Sequence, residues 1–177
     1  DASLGTFLHT ARADVPEGLP MRRPDLEDGV MPSGGNAATL AMLELGAIGG
    51  DRELYDIGER AARGAAPRAA ANPFGAGFLL GALDHLVGES REVVMAGDSE
   101  ALFALLRPTI DSRVLLARVP AAGAPGSLVE RFPALGAKTA IEGRPTAYVC
   151  EIGRCELPTS DPAELGRQLA AVWRAGT

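Results

Sequence analysis

Two thiols close together are the first residues in this sequence able to do chemistry. Cys150 and Cys155, the only cysteines, stand either side of four residues in TAYVCEIGRC. Such a pair can form a disulfide, supply half of a metal site, or act as a redox couple. On an extended strand Tyr148 and Cys150 share one side, Ala147 and Val149 the other. Glu151 to Arg154 has the length of a four-residue hairpin loop, with Gly153 supplying the unusual backbone angle. The cysteines then become cross-strand neighbours with α-carbons roughly 4.5 to 5.5 Å apart. That distance permits a disulfide without requiring one. A zinc site needs about four ligands, and the two histidines, His9 and His85, fall in the other half of the chain, so no metal is expected. An activated thiolate is favoured by a helix N-terminus, and a strand turn stands there instead. The expectation is a structural pair, reduced in the cell and oxidisable in air, with redox function as the alternative.

Other candidates lie near the start. Ser33 and Asn36 belong to PSGGN, where a helix N-terminus could offer amide groups to an anion; capping and close packing is the simpler reading. Ser33 is not in the strand-to-helix G-x-S-x-G setting of a hydrolase nucleophile. Asp28, in Glu27-Asp28-Gly29 just before that helix, is a candidate binding carboxylate. AGDSE lacks the G-x-G-x-x-G spacing of a dinucleotide site, and no cofactor is implied.

The composition bounds the partners. Of 177 residues, 46% are apolar and only 5% aromatic, so the core is built from aliphatic and small side chains. Seventeen basic against 23 acidic residues give a net charge of −6, without a basic run. A phosphate backbone requires clustered cations, so nucleic acid is not an expected partner. The longest apolar stretch, AATLAMLELGAIGG, contains Glu44 and falls short of the roughly 18 residues of a membrane span. With no visible leader and two cysteines, a cytoplasmic protein is expected.

The elements that must position these residues change character along the chain. Residues 1 to 32 read as an irregular Pro- and Gly-rich loop. Ser33 caps a helix that is apolar nearly all round, ended by Gly49-Gly50-Asp51. An amphipathic helix follows over Arg52 to Arg63, then a second apolar helix over Phe74 to Gly88. After Gly88 the period shortens: REVVMAG is a buried strand, DSEALFALLRP a helix capped by Asp98, and SRVLLARVP a second strand. This is a parallel strand–helix–strand crossover. A short helix near Leu128 to Leu135, strands in RPTAYVC and RCELP, and a closing helix with Asp161 as cap and Pro162 first complete the chain. The fold class is α+β, with helical hairpins over 1–88 and an α/β layer with a three- to four-stranded sheet over 89–177.

Three segments carry a resemblance: EDGVMPSGGNAATLAMLELGAIGGDRELYDIGERA, REVVMAGD and GRPTAYVCEIGRCELPTSDPAEL. They are similar to the C-terminal region of the thioredoxin-domain-containing family of spermatogenesis-associated protein 20 and bacterial YyaL-type proteins. The family pattern is roughly D-G-A-x-P-S-G-N-S, then A-Y-V-C-x4-C-x-x-P-x-x-D-P. The resemblance implies a thioredoxin-like domain upstream and an (α/α)6 toroid of the six-hairpin glycosidase type, of which residues 1–88 are the last hairpins. Two positions depart: the family's Asn after P-S-G is Gly35 here, followed by Asn36, and an early Asp is His9. Three functions follow as expectations. The first is a structural or ligand-binding portion, not catalytic alone. The second is a sugar-processing enzyme with a cavity near Asp28, and the third a thiol-redox module partnered by the upstream thioredoxin-like domain.

Overall fold

The computed structural model describes residues 5–8, 24–88, 90–107, 113–151 and 154–174. The chain divides into two compact units: Asp1–Glu44 with Glu53–Leu86, and Leu45–Arg52 with Val87–Thr177. His9 and the rest of 9–23 lie outside the described residues.

The first unit is helical. Helix α1 (Gly34–Gly49), whose last turn belongs with the second unit, starts where the Ser33 hydroxyl accepts the Asn36 amide at 2.9 Å. Ser33 is therefore the cap that the sequence predicts. Helix α2 (Arg52–Ala71) runs eight residues past its expected end and through Pro67. Its buried stripe of Gly58, Ala61, Ala62, Ala65 and Ala69 explains why. Alanine is the strongest helix former, and continued packing of this stripe offsets the amide that Pro67 forfeits. A 3₁₀ turn (Pro73–Gly75) leads into α3 (Gly77–Val87), which buries Leu79, Ala82 and His85. Leu43, Ala62 and Ala82 form one core cluster, and Leu26, Ala65, Ala69, Ala76 and Leu79 another.

The second unit is a four-stranded mixed sheet, order β2-β1-β3-β4. Strands β1 (Arg91–Ala96) and β2 (Val114–Val119) are parallel, joined through α4 (Glu100–Leu106) as the crossover pattern requires. The α4 cap is Ser99, accepting from Leu102 N, rather than Asp98, whose carboxylate pairs with Arg118 instead. β3 (Thr146–Glu151) runs antiparallel to β1, and β4 (Arg154–Cys155) antiparallel to β3. Helix α5 (Gly126–Arg131) and a 3₁₀ turn (Pro133–Leu135) precede β3; α6 (Pro162–Arg174) closes the chain, with Ala163 N donating to Asp161 Oδ1 at 2.9 Å.

Alternation gives the sheet two apolar faces. On one, Val93, Met95, Ala147 and Val149 pack with Leu102, Leu106, Leu165 and Leu169 from α4 and α6. On the other, Val94, Ala96, Val119 and Tyr148 pack with Leu135, with Phe132 alongside. This second face carries the sulfurs. Among the described residues no helix is long and apolar enough to cross a membrane.

Candidate functional site

The residues singled out from sequence fall at two places, one in each unit. In the first unit Asp25, Asp28 and Ser33 form a capping network. Asp28 Oδ1 accepts from Ser33 N and Oδ2 from Phe78 N, both at 2.9 Å, so one carboxylate serves the starts of α1 and α3. Asp25 Oδ2 accepts from Gly34 N at 2.8 Å, and its carbonyl oxygen accepts the Ser33 hydroxyl at 2.9 Å. Carboxylates suit these positions because helix N-termini present unpaired amides and a positive dipole end. Asn36 is fully buried; its Nδ2 donates to Leu26 O at 3.2 Å, and its Oδ1 has no hydrogen-bond partner among the described residues. The structure also gives a reason for the glycine at 35. A Cβ there would stand 2.2 Å from Asp25 O, so the asparagine of the related pattern has no room.

The sulfurs occupy the second unit. Cys150 and Cys155 are bonded, S–S 2.10 Å, with α-carbons 3.9 Å apart, closer than the sequence reading expected. The register explains the proximity. Glu156 N donates to Val149 O, which makes Val149 and Glu156 a hydrogen-bonded position. The adjacent Cys150–Cys155 position is then the non-hydrogen-bonded kind, where strands approach most closely. Glu151 pairs with Arg154, so two residues, 152 and 153, connect the strands rather than the four expected. Those two lie outside the described residues. The pair is bonded as a disulfide in this structure, the oxidised form that the sequence reading allowed for. Cys150 is 7% exposed, whereas Cys155 on the edge strand is open.

Lys138, the only lysine in the sequence, was not foreseen as part of this site. Its Nζ lies 3.1 Å from Cys155 Sγ, 3.5 Å from Cys150 Sγ and 4.8 Å from the centre of the Tyr148 ring. Burial pushes its pKa below the ordinary lysine range. The backbone that delivers it is held firmly. The Tyr148 hydroxyl donates to Thr139 O at 2.6 Å and accepts from Thr139 N at 3.2 Å, while Ala140 N donates to Ala121 O. Ala137, immediately before, adopts φ 57°, a left-handed conformation that costs an L-residue about 1 to 2 kcal/mol. Such outliers persist only where surrounding structure imposes them.

The row of register partners extends past the sulfurs. Glu92 on β1 pairs with Cys150 on β3, which pairs with Cys155 on β4, so all three share one face. They and Lys138 line a cavity of about 320 Å³, with Ile48 and Pro133 among its apolar wall. That volume is at the lower end for small-molecule sites. Among the described residues no three His, Cys, Asp or Glu side chains gather to hold a metal.

Comparison with known proteins bears on what this arrangement belongs to. No protein-family profile matches the chain. A human protein aligns with it over 174 residues at 29% identity, covering 94% of this chain. The chain is similar to spermatogenesis-associated protein 20. The rat spermatogenesis-associated protein 20 is 28% identical over 174 residues, and the mouse protein 26% over 166 residues, covering 94% and 90% of this chain. The resemblance to spermatogenesis-associated protein 20 read from the three motif segments therefore holds over nearly the whole chain. The chain spans about a fifth of the length of these relatives, 22% of the human protein.

Proposed function

We propose that this chain is a reversible dithiol–disulfide module, not an enzyme on its own, that exchanges electrons with a partner dithiol. The observation that carries the reading is the Cys150–Cys155 disulfide with Lys138 Nζ 3.1 Å from the sulfur of Cys155. A cation beside a sulfur favours its thiolate, the form that attacks and leaves in exchange reactions. Exposure supports the direction of reaction. Cys155, on the edge strand, is the sulfur an incoming thiolate reaches, and buried Cys150 is the leaving and resolving sulfur. The partner dithiol is a thioredoxin-like domain of the longer polypeptide, a reading that rests on the resemblance given above. The rival sugar-binding reading draws no support from Asp28, whose two oxygens are occupied by backbone amides of two helices.

In the proposed reaction a partner thiolate attacks Cys155 Sγ, the S–S bond breaks, and its electron pair leaves on Cys150 Sγ. The partner's second thiol, deprotonated, then attacks its own sulfur in the mixed disulfide and releases the Cys155 thiolate beside Lys138. Two electrons pass to this chain and the partner becomes a disulfide. The test is incubation of the folded, oxidised protein with dithiothreitol, followed by alkylation and mass measurement. Reversible reduction with the far-ultraviolet dichroism unchanged is expected. A disulfide that resists reduction until the protein unfolds would overturn the proposal.

A further inference from the structure

We propose that the cavity beside the sulfurs receives a small disulfide bearing a carboxylate a few bonds from its own sulfur, with Lys138 holding that carboxylate. This molecule accepts the electrons that the cysteine pair has received. The inference rests on the redox reading above and names the substrate class at the far end of the exchange.

The surroundings of Lys138 point to an anion. Its ammonium has several hydrogens to donate, and sulfur is a weak acceptor. Yet its neighbours are the two sulfurs, 3.1 and 3.5 Å away, and the face of the Tyr148 ring at 4.8 Å. Among the described residues no carboxylate stands within ion-pair distance of it. Glu92, which shares the cavity, has interactions of its own. A charge withdrawn from water is costly unless it is paired, and burial accordingly lowers the Lys138 pKa. Ile48, Val94, Pro133 and Ala134 give the same space of about 320 Å³ an apolar wall. The hydrogen bonds between Thr139 and Tyr148 fix the adjoining backbone, so the cation is in place before a ligand arrives.

The distances select the ligand. A carboxylate accepts from an ammonium at about 2.7 to 2.9 Å, and this ammonium is 3.1 Å from Cys155 Sγ. An acid group held by Lys138 is therefore close to the reacting sulfur, which fits a mercapto acid with a short carbon stem. In the reduced protein the Cys155 thiolate attacks one sulfur of the small disulfide. The S–S bond of that molecule breaks, and the electron pair leaves with the first mercapto acid. Cys150, its thiol proton passed to water, then attacks Cys155 Sγ and expels the second. The departing thiolates take protons from water, the protein is left as a disulfide, and two electrons have crossed the module. The net charge of −6 repels anions at long range, so a preference for an anionic substrate has to come from the local cation.

The experiment oxidises the reduced, folded protein with dithiodipropionate, hydroxyethyl disulfide and cystamine, which share a two-carbon stem and are anionic, neutral and cationic. Each rate is divided by the rate of the same disulfide with dithiothreitol, which removes intrinsic reactivity. An ion pair near 4 Å in a half-buried setting changes an equilibrium about tenfold. Dithiodipropionate should therefore react about tenfold faster than hydroxyethyl disulfide on this scale, with cystamine slowest. Lys138→Met lowers the thiolate population for all three probes alike, so the ratio between probes isolates the binding role, and it should fall below two. Added salt should narrow the same ratio in the parent, which carries the test if the variant does not fold. A ratio below two in the parent, or one that survives in Lys138→Met or ignores salt, overturns this inference alone. A parent disulfide that is inert to dithiothreitol in the folded state overturns the redox reading and this inference with it.

Discussion

Replacing Lys138 by methionine keeps a long apolar stem and removes only the cation, so it isolates the electrostatic part of the sulfur site. The ammonium stands 3.1 and 3.5 Å from the two sulfurs. Two unit charges near 4 Å interact by about 1 kcal/mol in water and about 4 kcal/mol at an effective dielectric constant near 20. Lys138 is half-buried, which places the interaction between those bounds. Each 1.4 kcal/mol or so is a factor of ten in an equilibrium constant. The thiolate population of Cys155 in the reduced protein should therefore fall about tenfold near neutral pH. The assay is iodoacetamide alkylation of Cys155 in a reduced Cys150→Ser background, with and without Lys138→Met. The difference should shrink toward alkaline pH, at values below the ordinary lysine range, because burial makes the parent's ammonium give up its proton early. Rates within twofold of each other across the neutral range would refute the argument and reduce Lys138 to a packing contact with Tyr148.

Two further outcomes follow from the first unit. Asp28→Ala removes the acceptor of two backbone amides, and hydrogen bonds to charged groups contribute about 1.5 to 3 kcal/mol. The half-exposed site allows water to replace part of this, so a loss of about 1 to 3 kcal/mol in urea unfolding is expected. His85 is 2% exposed and neither ring nitrogen has a hydrogen-bond partner among the described residues. Burial lowers its pKa, opposed in part by Asp84, so the unfolded chain takes up the proton at higher pH than the folded one. Stability should be full above about pH 6.5 and decline as pH falls below it, and a pH series of melts on His85→Leu should lack that component.

How much of this could be read from sequence depended on whether the deciding interaction was local. Ser33 and Asp161 as caps, the β1–α4–β2 crossover and the cysteine-bearing strand were all legible, because each is settled by neighbours a few residues away. The end of α2 was not. Pro67 is a local stop signal, overridden by an alanine stripe whose packing partners lie elsewhere in the chain. Ser99 and Asp98 are both good caps, and a pairing of Asp98 with Arg118, twenty residues on, separates them. The largest omission was Lys138, which reaches the sulfurs across 12 and 17 residues through a loop with no periodicity. One signal was available. Every other cation in the chain's 17 basic residues is arginine, and a solitary lysine invites the question of what needs an amine that can lose its proton.

The separation of Cys150 and Cys155 by only five positions has a consequence for how the molecule tolerates both oxidation states. A cross-link stabilises a fold chiefly by shrinking the freedom of the unfolded chain, and the gain grows with the loop it closes. A loop this short restricts little: on that relation the bond contributes about 2 kcal/mol, against about 3 for fifteen residues and nearly 5 for a hundred. The sheet's apolar faces do not depend on it, since β3 is anchored along β1 by five register pairs and β4 contributes two residues. Opening the bond therefore removes a small tether at the sheet's margin and leaves the chain entropy of the rest untouched. A protein joined at such a point keeps one architecture whichever way the electrons lie.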